Sequence, residues 1–313
     1  MRRAAVLLMG PTGVGKSDLA LALVERLPRE IVSVDSALVY RGMDIGTAKP
    51  SAAVRARHAH HLIDIREPTL AYSAGEFVRD AALAMQGIWA RGRLPLLVGG
   101  TMLYFHALTE GIAELPEADS GVRAEIEAQA RTQGWEALHL ELARVDPEAA
   151  QRIHAQDPQR IQRALEVYRL TGRTITALQG DRRKRLMDVE FCEIAVQPTD
   201  RELLHRRLAD RFRAMLAAGF LDEMRGLFGR ADLSGEHPSM RAVGYRQMWE
   251  FLQGRSSLSQ AEEAAIVATR QLAKRQLTWL RRRSPAACFD AMHPNVADLV
   301  FDALSKSVFA EWS

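Results

Sequence analysis

The residues most able to do chemistry stand near the start of the chain, in Gly10-Pro11-Thr12-Gly13-Val14-Gly15-Lys16-Ser17. The pattern G-x-x-x-x-G-K-[ST] cradles phosphate when a strand precedes it and a helix follows. Both flanks fit. Ala4 to Met9 is an apolar run, and Asp18 to Leu27 carries apolar residues at helical spacing. Glycines let the backbone turn tightly and aim N–H groups at an anion, and the helix adds its positive N-terminal end. Lys16 contributes a point charge, and the Ser17 hydroxyl is an oxygen suited to Mg²⁺. A plain tight turn would leave the glycines and the Lys-Ser pair unexplained together.

Two more groups belong with this loop. Asp35 closes the β-rich run Ile31-Val32-Ser33-Val34, and Thr101 follows the apolar run Leu94 to Val98 and Gly99-Gly100. Ligands of parallel sheets bind at the carboxyl ends of the strands, so all three features are expected to converge. A carboxylate there can take a proton from a nucleophile facing bound phosphates, or it can cap a helix or stand behind magnesium. No Asn-Lys-x-Asp run is present, which argues against a GTPase. The strand Leu94–Val98 ends in Gly-Gly-Thr instead of the acid that nucleotide-driven motors use. Asp35, a carboxylate at a strand end, fits group transfer better than nucleotide-driven motion. His58, His60 and His61 read as a loop entering a short strand, because no acidic or cysteine partner stands at zinc spacing.

The elements that must position these groups read as α/β: a P-loop NTPase-like parallel sheet covered by helices on both faces, with an all-helical insertion. Tyr72 to Arg91 is expected to be a helix, with Ser73 and Glu76 as a capping box and Phe77, Ala81, Leu83, Ile88 and Trp89 on its apolar side. From Leu115 the pattern turns wholly helical: Val122 to Gly134, Trp135 to Val145, Pro147 to His154, and Pro158 to Leu170 with Asp157 as N-cap. Phe191 to Val196 returns to the sheet. Asp200 to Ala218 is a helix carrying Arg206, Arg207, Arg211 and Arg213, and the last strong helix runs from Leu258 to Arg283. The expected domains are a discontinuous catalytic core (1–114 and 190–285), a helical insertion (115–189) and a peripheral tail (286–313).

Charge points to the second substrate. The net charge is only +3, but residues 152–185 hold nine Arg or Lys against three acids, with Arg182-Arg183-Lys184-Arg185 the densest run. On the helix from Leu258, Ile266, Ala273, Leu277 and Leu280 share one side. Arg270, Lys274, Arg275, Arg281 and Arg282 lie along the other with no acid among them. An all-basic face fits a polyanion, which it places without choosing its sequence. No apolar run could span a bilayer, the first one is too short for a signal peptide, and two cysteines make no disulfide framework. A cytoplasmic protein with no membrane contact is expected.

Longer runs resemble one family. Asp35-Ser36-Ala37-Leu38-Val39-Tyr40-Arg41-Gly42-Met43-Asp44-Ile45-Gly46-Thr47-Ala48-Lys49-Pro50 is similar to the hallmark of bacterial tRNA dimethylallyltransferases, also called tRNA isopentenyltransferases. So are Val98-Gly99-Gly100-Thr101-Met102-Leu103-Tyr104, Asp157-Pro158-Gln159-Arg160-Ile161-Gln162-Arg163-Ala164-Leu165-Glu166, Val243-Gly244-Tyr245-Arg246-Gln247 and Thr269-Arg270-Gln271-Leu272-Ala273-Lys274-Arg275-Gln276-Leu277-Thr278-Trp279-Leu280-Arg281. The resemblance implies transfer of the five-carbon group of dimethylallyl diphosphate to N6 of the tRNA adenosine next to the anticodon, with Mg²⁺. It implies Gly13 to Ser17 on the diphosphate, the metal near Ser17, Asp35 as general base, Thr101 as an orienting group, and Arg211 on the leaving diphosphate. It places tRNA on Asp35, Ser36, Ala37, Leu38, Thr101 and Arg123. The tRNA also meets Gln159, Arg160, Ile161, Gln162 and Arg163, then Arg241, Ala242, Val243, Gly244, Tyr245 and Arg246. The last stretch is Lys274, Arg275, Gln276, Leu277, Thr278, Trp279, Leu280 and Arg281. A monomer is expected. The residues alone also allow a P-loop small-molecule kinase that binds ATP, or a non-catalytic RNA-binding protein.

Overall fold

The computed structural model describes residues 3–113, 115–180, 186–283 and 285–306. It falls into two compact units, one of Met1–Thr109 with Leu186–Ser313, the other of Glu110–Arg185. The basic run 182–185 lies outside the described residues.

The larger unit starts with β1 (Ala4–Met9), whose six residues are all buried. Such a strand can only lie between two covering layers. The chain continues through α1 (Lys16–Arg26), β2 (Arg29–Val34), α2 (Ala52–Arg57), β3 (His60–His61), α3 (Ala74–Ala90), β4 (Leu94–Gly99) and α4 (Met102–Glu110). Ser73 and Glu76 form the expected capping box of α3. Leu83, expected on its apolar side, is 67 % exposed. The smaller unit is wholly helical: α5 (Ser120–Gln133), α6 (Trp135–Val145), α7 (Pro147–Arg152), α8 (Pro158–Thr171) and α9 (Ile175–Gly180). Asp157 caps α8 through the Arg160 N–H, with Pro158 in the first turn. Ile126, Leu138, Leu142, Ile161 and Leu165 make its separate core.

The chain then returns to the sheet with β5 (Glu190–Gln197), followed by α10 (Arg201–Ala217), α11 (Phe220–Phe228), α12 (Tyr245–Leu252), α13 (Leu258–Arg283), β6 (Ala287–Asp290) and α14 (Val296–Ser305). All six strands are parallel, in the order β3-β2-β4-β1-β5-β6. The segment after Pro285, expected to be peripheral, is instead part of this unit. β6 pairs with β5, and Val300 and Leu304 of α14 are fully buried against α1 and the sheet. The apolar face of α14 had to be covered, and the open edge of β5 offered the place.

The histidines have structural partners. His60 bonds the His58 carbonyl at 2.7 Å, and His61 bonds Glu30 at 2.7 Å. Glu30, 3 % exposed, also accepts from Arg91 at 2.9 and 2.7 Å. Those hydrogen bonds from Arg91 are the main reason its pKa drops to about 2, against an ordinary 4.5. The pairing therefore adds stability above pH 4.5 and loses it as pH falls toward 2. Glu30→Gln is expected to cost about 2 kcal/mol at neutral pH and to flatten the acid limb of thermal unfolding between those values. Melting curves from pH 2 to 7 check this, and a wild-type acid limb in the variant would refute it.

Candidate active site

Three loops meet because three strands end level. Val34 of β2 and Met9 of β1 both stand opposite Gly99 of β4. Asp35, Gly10 and Gly100 are the next residues on each. Position 99 must be glycine, since a Cβ there would lie 2.0 Å from the Val34 carbonyl oxygen. Gly13 and Gly15 both take φ +83°, left-handed backbone that glycine adopts without strain, and α1 starts at the next residue, Lys16. The loop amides thus lead into the positive end of a helix of 11 residues.

Around this cradle the side chains are arranged by charge. Lys16 Nζ donates to the Pro11 carbonyl at 2.7 Å, folding over its own loop. Burial is the main cause that lowers its pKa to about 8, opposed by the carboxylate of Asp35 and reinforced by the cation Arg211. Burial also pulls Arg211, on α10, below the ordinary arginine value, while Asp35 and Asp18 act the other way. Lys16, Asp35 and Arg211 thus share one electrostatic site, although the sequence separates them by up to 195 positions (211 − 16). Asp35 Oδ1 accepts the Ala37 and Leu38 N–H groups at 2.8 and 3.3 Å. Those bonds fix the carboxylate and leave Oδ2 without a partner among the described residues. Thr101 Oγ1 accepts the Ser36 N–H at 3.1 Å, so its own proton is free to donate. Ser17 is exposed at the helix start. No group of three acidic, histidine or cysteine side chains that could hold a metal exists among the described residues.

Two further residues of the larger unit were not singled out as loop supports by sequence reasoning. Gln276 of α13 accepts the Thr12 N–H at 2.9 Å and donates to the Gly100 carbonyl at 2.8 Å. Glu223 of α11 accepts the N–H groups of Asp44, Ile45 and Gly46 at 2.9, 2.6 and 3.3 Å, and the Tyr245 hydroxyl at 2.5 Å. Both contacts join residues 22 to 264 positions apart, so no local pattern could announce them.

The expected RNA contacts divide. In the larger unit Lys274, Arg275, Thr278, Trp279, Arg281 and Arg282 are exposed on α13, as are Ser36, Arg241 and Arg246, while Ala37, Leu38, Ala242 and Val243 are half-buried. Lys274, Arg275, Arg281 and Arg282 pair with no acid among the described residues. Arg270 departs from that face, its Nε buried and without a hydrogen bond. Trp279 stands 44 % exposed, with its ring edge-on to His106 at 5.9 Å. Gly244, Tyr245, Leu277 and Leu280 are buried, so they pack the fold and offer no side chain to RNA. In the smaller unit Gln159 and Arg160 are exposed, but Ile161 is fully buried. Arg123 and Arg163 are tied to buried Glu166, at 2.8 and 2.7 Å. Gln162 is half-buried and bonds Glu127 at 2.9 Å. Helical periodicity alone separates these groups, since Ile161, Leu277 and Leu280 sit on the apolar stripes of α8 and α13.

The cradle should hold a diphosphate through a lysine that titrates. Inorganic pyrophosphate is expected to bind the free chain more weakly as pH rises through about 8, and Lys16→Ala to cost about tenfold or more at pH 7. Calorimetry across pH 6.5 to 9.5 tests both; pH-independent binding would count against Lys16.

Comparisons with known proteins place relatives beside this chain. The family model described as "IPP transferase" matches residues 38–283. A tRNA dimethylallyltransferase of Nitrosococcus oceani is 60 % identical over 290 residues, covering 93 % of this chain and 92 % of the relative. One of Ralstonia nicotianae is 54 % identical over 302 residues, covering 95 % and 94 %. The crystal structure of a tRNA isopentenylpyrophosphate transferase from Bacillus halodurans is similar with TM-score 0.69 and 34 % identity, over 97 % of this chain and 96 % of that one. A eukaryotic dimethylallyltransferase acting on tRNA shares the fold, with TM-score 0.78 at 24 % identity over 97 % and 78 %.

Proposed function

The chain belongs to the IPP transferase family, and from that premise we propose that it moves the dimethylallyl group of dimethylallyl diphosphate to N6 of an adenosine in tRNA, the one 3′ of the anticodon. The observation that carries the chemistry is the level ending of β1, β2 and β4, which sets Asp35 and Thr101 beside the loop that carries Lys16.

The N6 lone pair attacks C1 of the dimethylallyl group. The bond from C1 to the diphosphate oxygen breaks, and its electron pair leaves with the diphosphate. The N6 proton passes to Asp35 Oδ2, the oxygen that no backbone N–H occupies. Asp35 has to be held still because an exocyclic amine is a weak nucleophile, and its two backbone bonds do that. Charge grows on the departing diphosphate. The loop amides, Lys16 and Arg211 face that charge with dipoles and cations set in place beforehand, the expected largest contribution to the rate. Mg²⁺ would be held on the protein side by the Ser17 hydroxyl and would add neutralising charge to the diphosphate. Thr101, with its hydroxyl oxygen engaged by Ser36, has its proton to offer the incoming base.

The adenosine must leave its stack to reach this site, at a cost of a few kcal/mol that phosphate contacts offset. The outward cations of α13 suit that task, and half-exposed Trp279 offers a ring on which a base can stack. At the start of α8, Gln159 and Arg160 face outward, and Arg160 adds a cation. A small-molecule kinase would have no use for an unpaired cationic helix face, and a passive RNA binder none for Lys16 and Asp35. The protein is proposed to act as a cytoplasmic monomer; no described helix is long and apolar enough to cross a membrane.

Mass analysis of tRNA nucleosides after incubation with the protein, Mg²⁺ and dimethylallyl diphosphate tests the reaction; release of ADP from ATP in place of prenylated adenosine would indicate a kinase. Asp35→Ala should abolish transfer and leave tRNA affinity within a few-fold. A large loss of tRNA binding with an unchanged single-turnover rate would remove Asp35 as base. Replacing Lys274 and Arg275 together by Ala should lower the salt dependence of tRNA binding by about 1 to 2 in the log–log slope. An unchanged slope would exclude this face as the RNA surface.

A further inference from the structure

We infer that Gln276 is a positioning residue for the transfer, a strut that fixes the distance between the loop holding the leaving group and the end of β4, where Thr101 in turn ties down the segment that carries the base. This rests on the reaction proposed above.

The side chain lies on α13 between buried Ala273, Leu277 and Leu280 and the exposed cations Lys274 and Arg275. Its amide is used at both ends. Oε1 accepts from Thr12 N–H at 2.9 Å, and Nε2 donates to the Gly100 carbonyl at 2.8 Å. A backbone N–H can only donate and a carbonyl can only accept, so the amide fits in one orientation. A carboxylate of the same shape satisfies Thr12 and repels Gly100. The seat is close: a Cβ on Gly100 would lie 2.4 Å from Gln276 Nε2.

Thr12 belongs to the phosphate loop. Gly100 precedes Thr101, which accepts from Ser36, the neighbour of Asp35. Three hydrogen bonds, joined by the peptide links Gly100–Thr101 and Asp35–Ser36, therefore connect the donor loop, through one helix side chain, to the residue that carries the base. Transfer needs N6, C1 and the departing oxygen in line, and a misplacement of about 1 Å can cost on the order of a hundredfold. The same helix turns its cations outward. RNA that settles on α13 presses on the element that sets this distance, which ties acceptor docking to the geometry of the donor site.

The test uses the full chain with Gln276→Met, which keeps the volume without hydrogen bonds, and Gln276→Glu, which keeps only the Thr12 half. Both are expected to raise the Kd for inorganic pyrophosphate and the KM for dimethylallyl diphosphate about tenfold, and to lower the single-turnover rate. The tRNA Kd should stay within about twofold, because both ends of the amide are taken by Thr12 and Gly100 and, against the RNA contact implied by resemblance, neither is left for RNA. Melting temperature should hold within a few degrees. Wild-type kinetics in Gln276→Met overturn the inference. So does a rise in tRNA Kd with the donor KM unchanged, which would make Gln276 a direct RNA contact. So does a collapse in melting temperature with pyrophosphate binding intact, which would make it merely structural. If the wild-type chain modifies no tRNA, the proposed reaction falls, while pyrophosphate binding still reads the strut.

Discussion

The parallel pairing of β2, β4 and β1, with Val34, Gly99 and Met9 level, is the constraint from which the site follows. Three loops leave the sheet side by side because their strands stop at the same height. The close approach of Val34 and residue 99 leaves no room for a side chain, so the alignment depends on a missing Cβ. Beyond this point each loop has a separate task. One wraps an anion, one holds a carboxylate, and one holds a hydroxyl and a carbonyl. Helices α10 and α13 then bring Arg211 and Gln276 to the same place from far along the chain.

The charges of the molecule fall into two kinds. Some cations are spent inside the fold: Arg91 on Glu30, Arg123 and Arg163 on Glu166, and Lys49 on Asp44 and Asp64 at 2.6 and 2.5 Å. These pairs hold loops and helices, and the carboxylates of Glu30, Glu166 and Asp64 titrate below their ordinary values. Lys16 and Arg211 are different. They sit in surroundings that disfavour their charge and have only acids near the site to offset it. Such cations gain most from an anion delivered from outside.

What the sequence made legible was local. The phosphate loop, the capping box of α3, the Asp157 cap and the bounds of α6 and α13 follow from neighbours within a few residues. Asp35 and Thr101 could be brought together by one general rule about strand ends. The helices α11 and α12 were not read, because short helices between glycines give little periodicity. β6 and α14 read as peripheral in the sequence: a strand of four residues after a proline has no pattern until β5 offers it an edge. The RNA-facing list mixed outward cations with buried Ile161, Tyr245, Leu277 and Leu280, since motif resemblance runs along the chain while exposure runs around the helix. The long-range bonds of Gln276 and Glu223 lie beyond any window of sequence.

Glu223 has one further consequence. Its carboxylate already fills the ring of N–H groups at Asp44, Ile45 and Gly46, with the Tyr245 hydroxyl closing the set. The larger unit thus builds two backbone pockets of similar polarity and plugs one with its own acid. The loop at Gly10–Ser17 holds no internal acid of this kind among the described residues. Glu223 therefore supplies from within the chain the negative charge that those N–H groups call for, and in doing so pins α11 to the segment at 44–46.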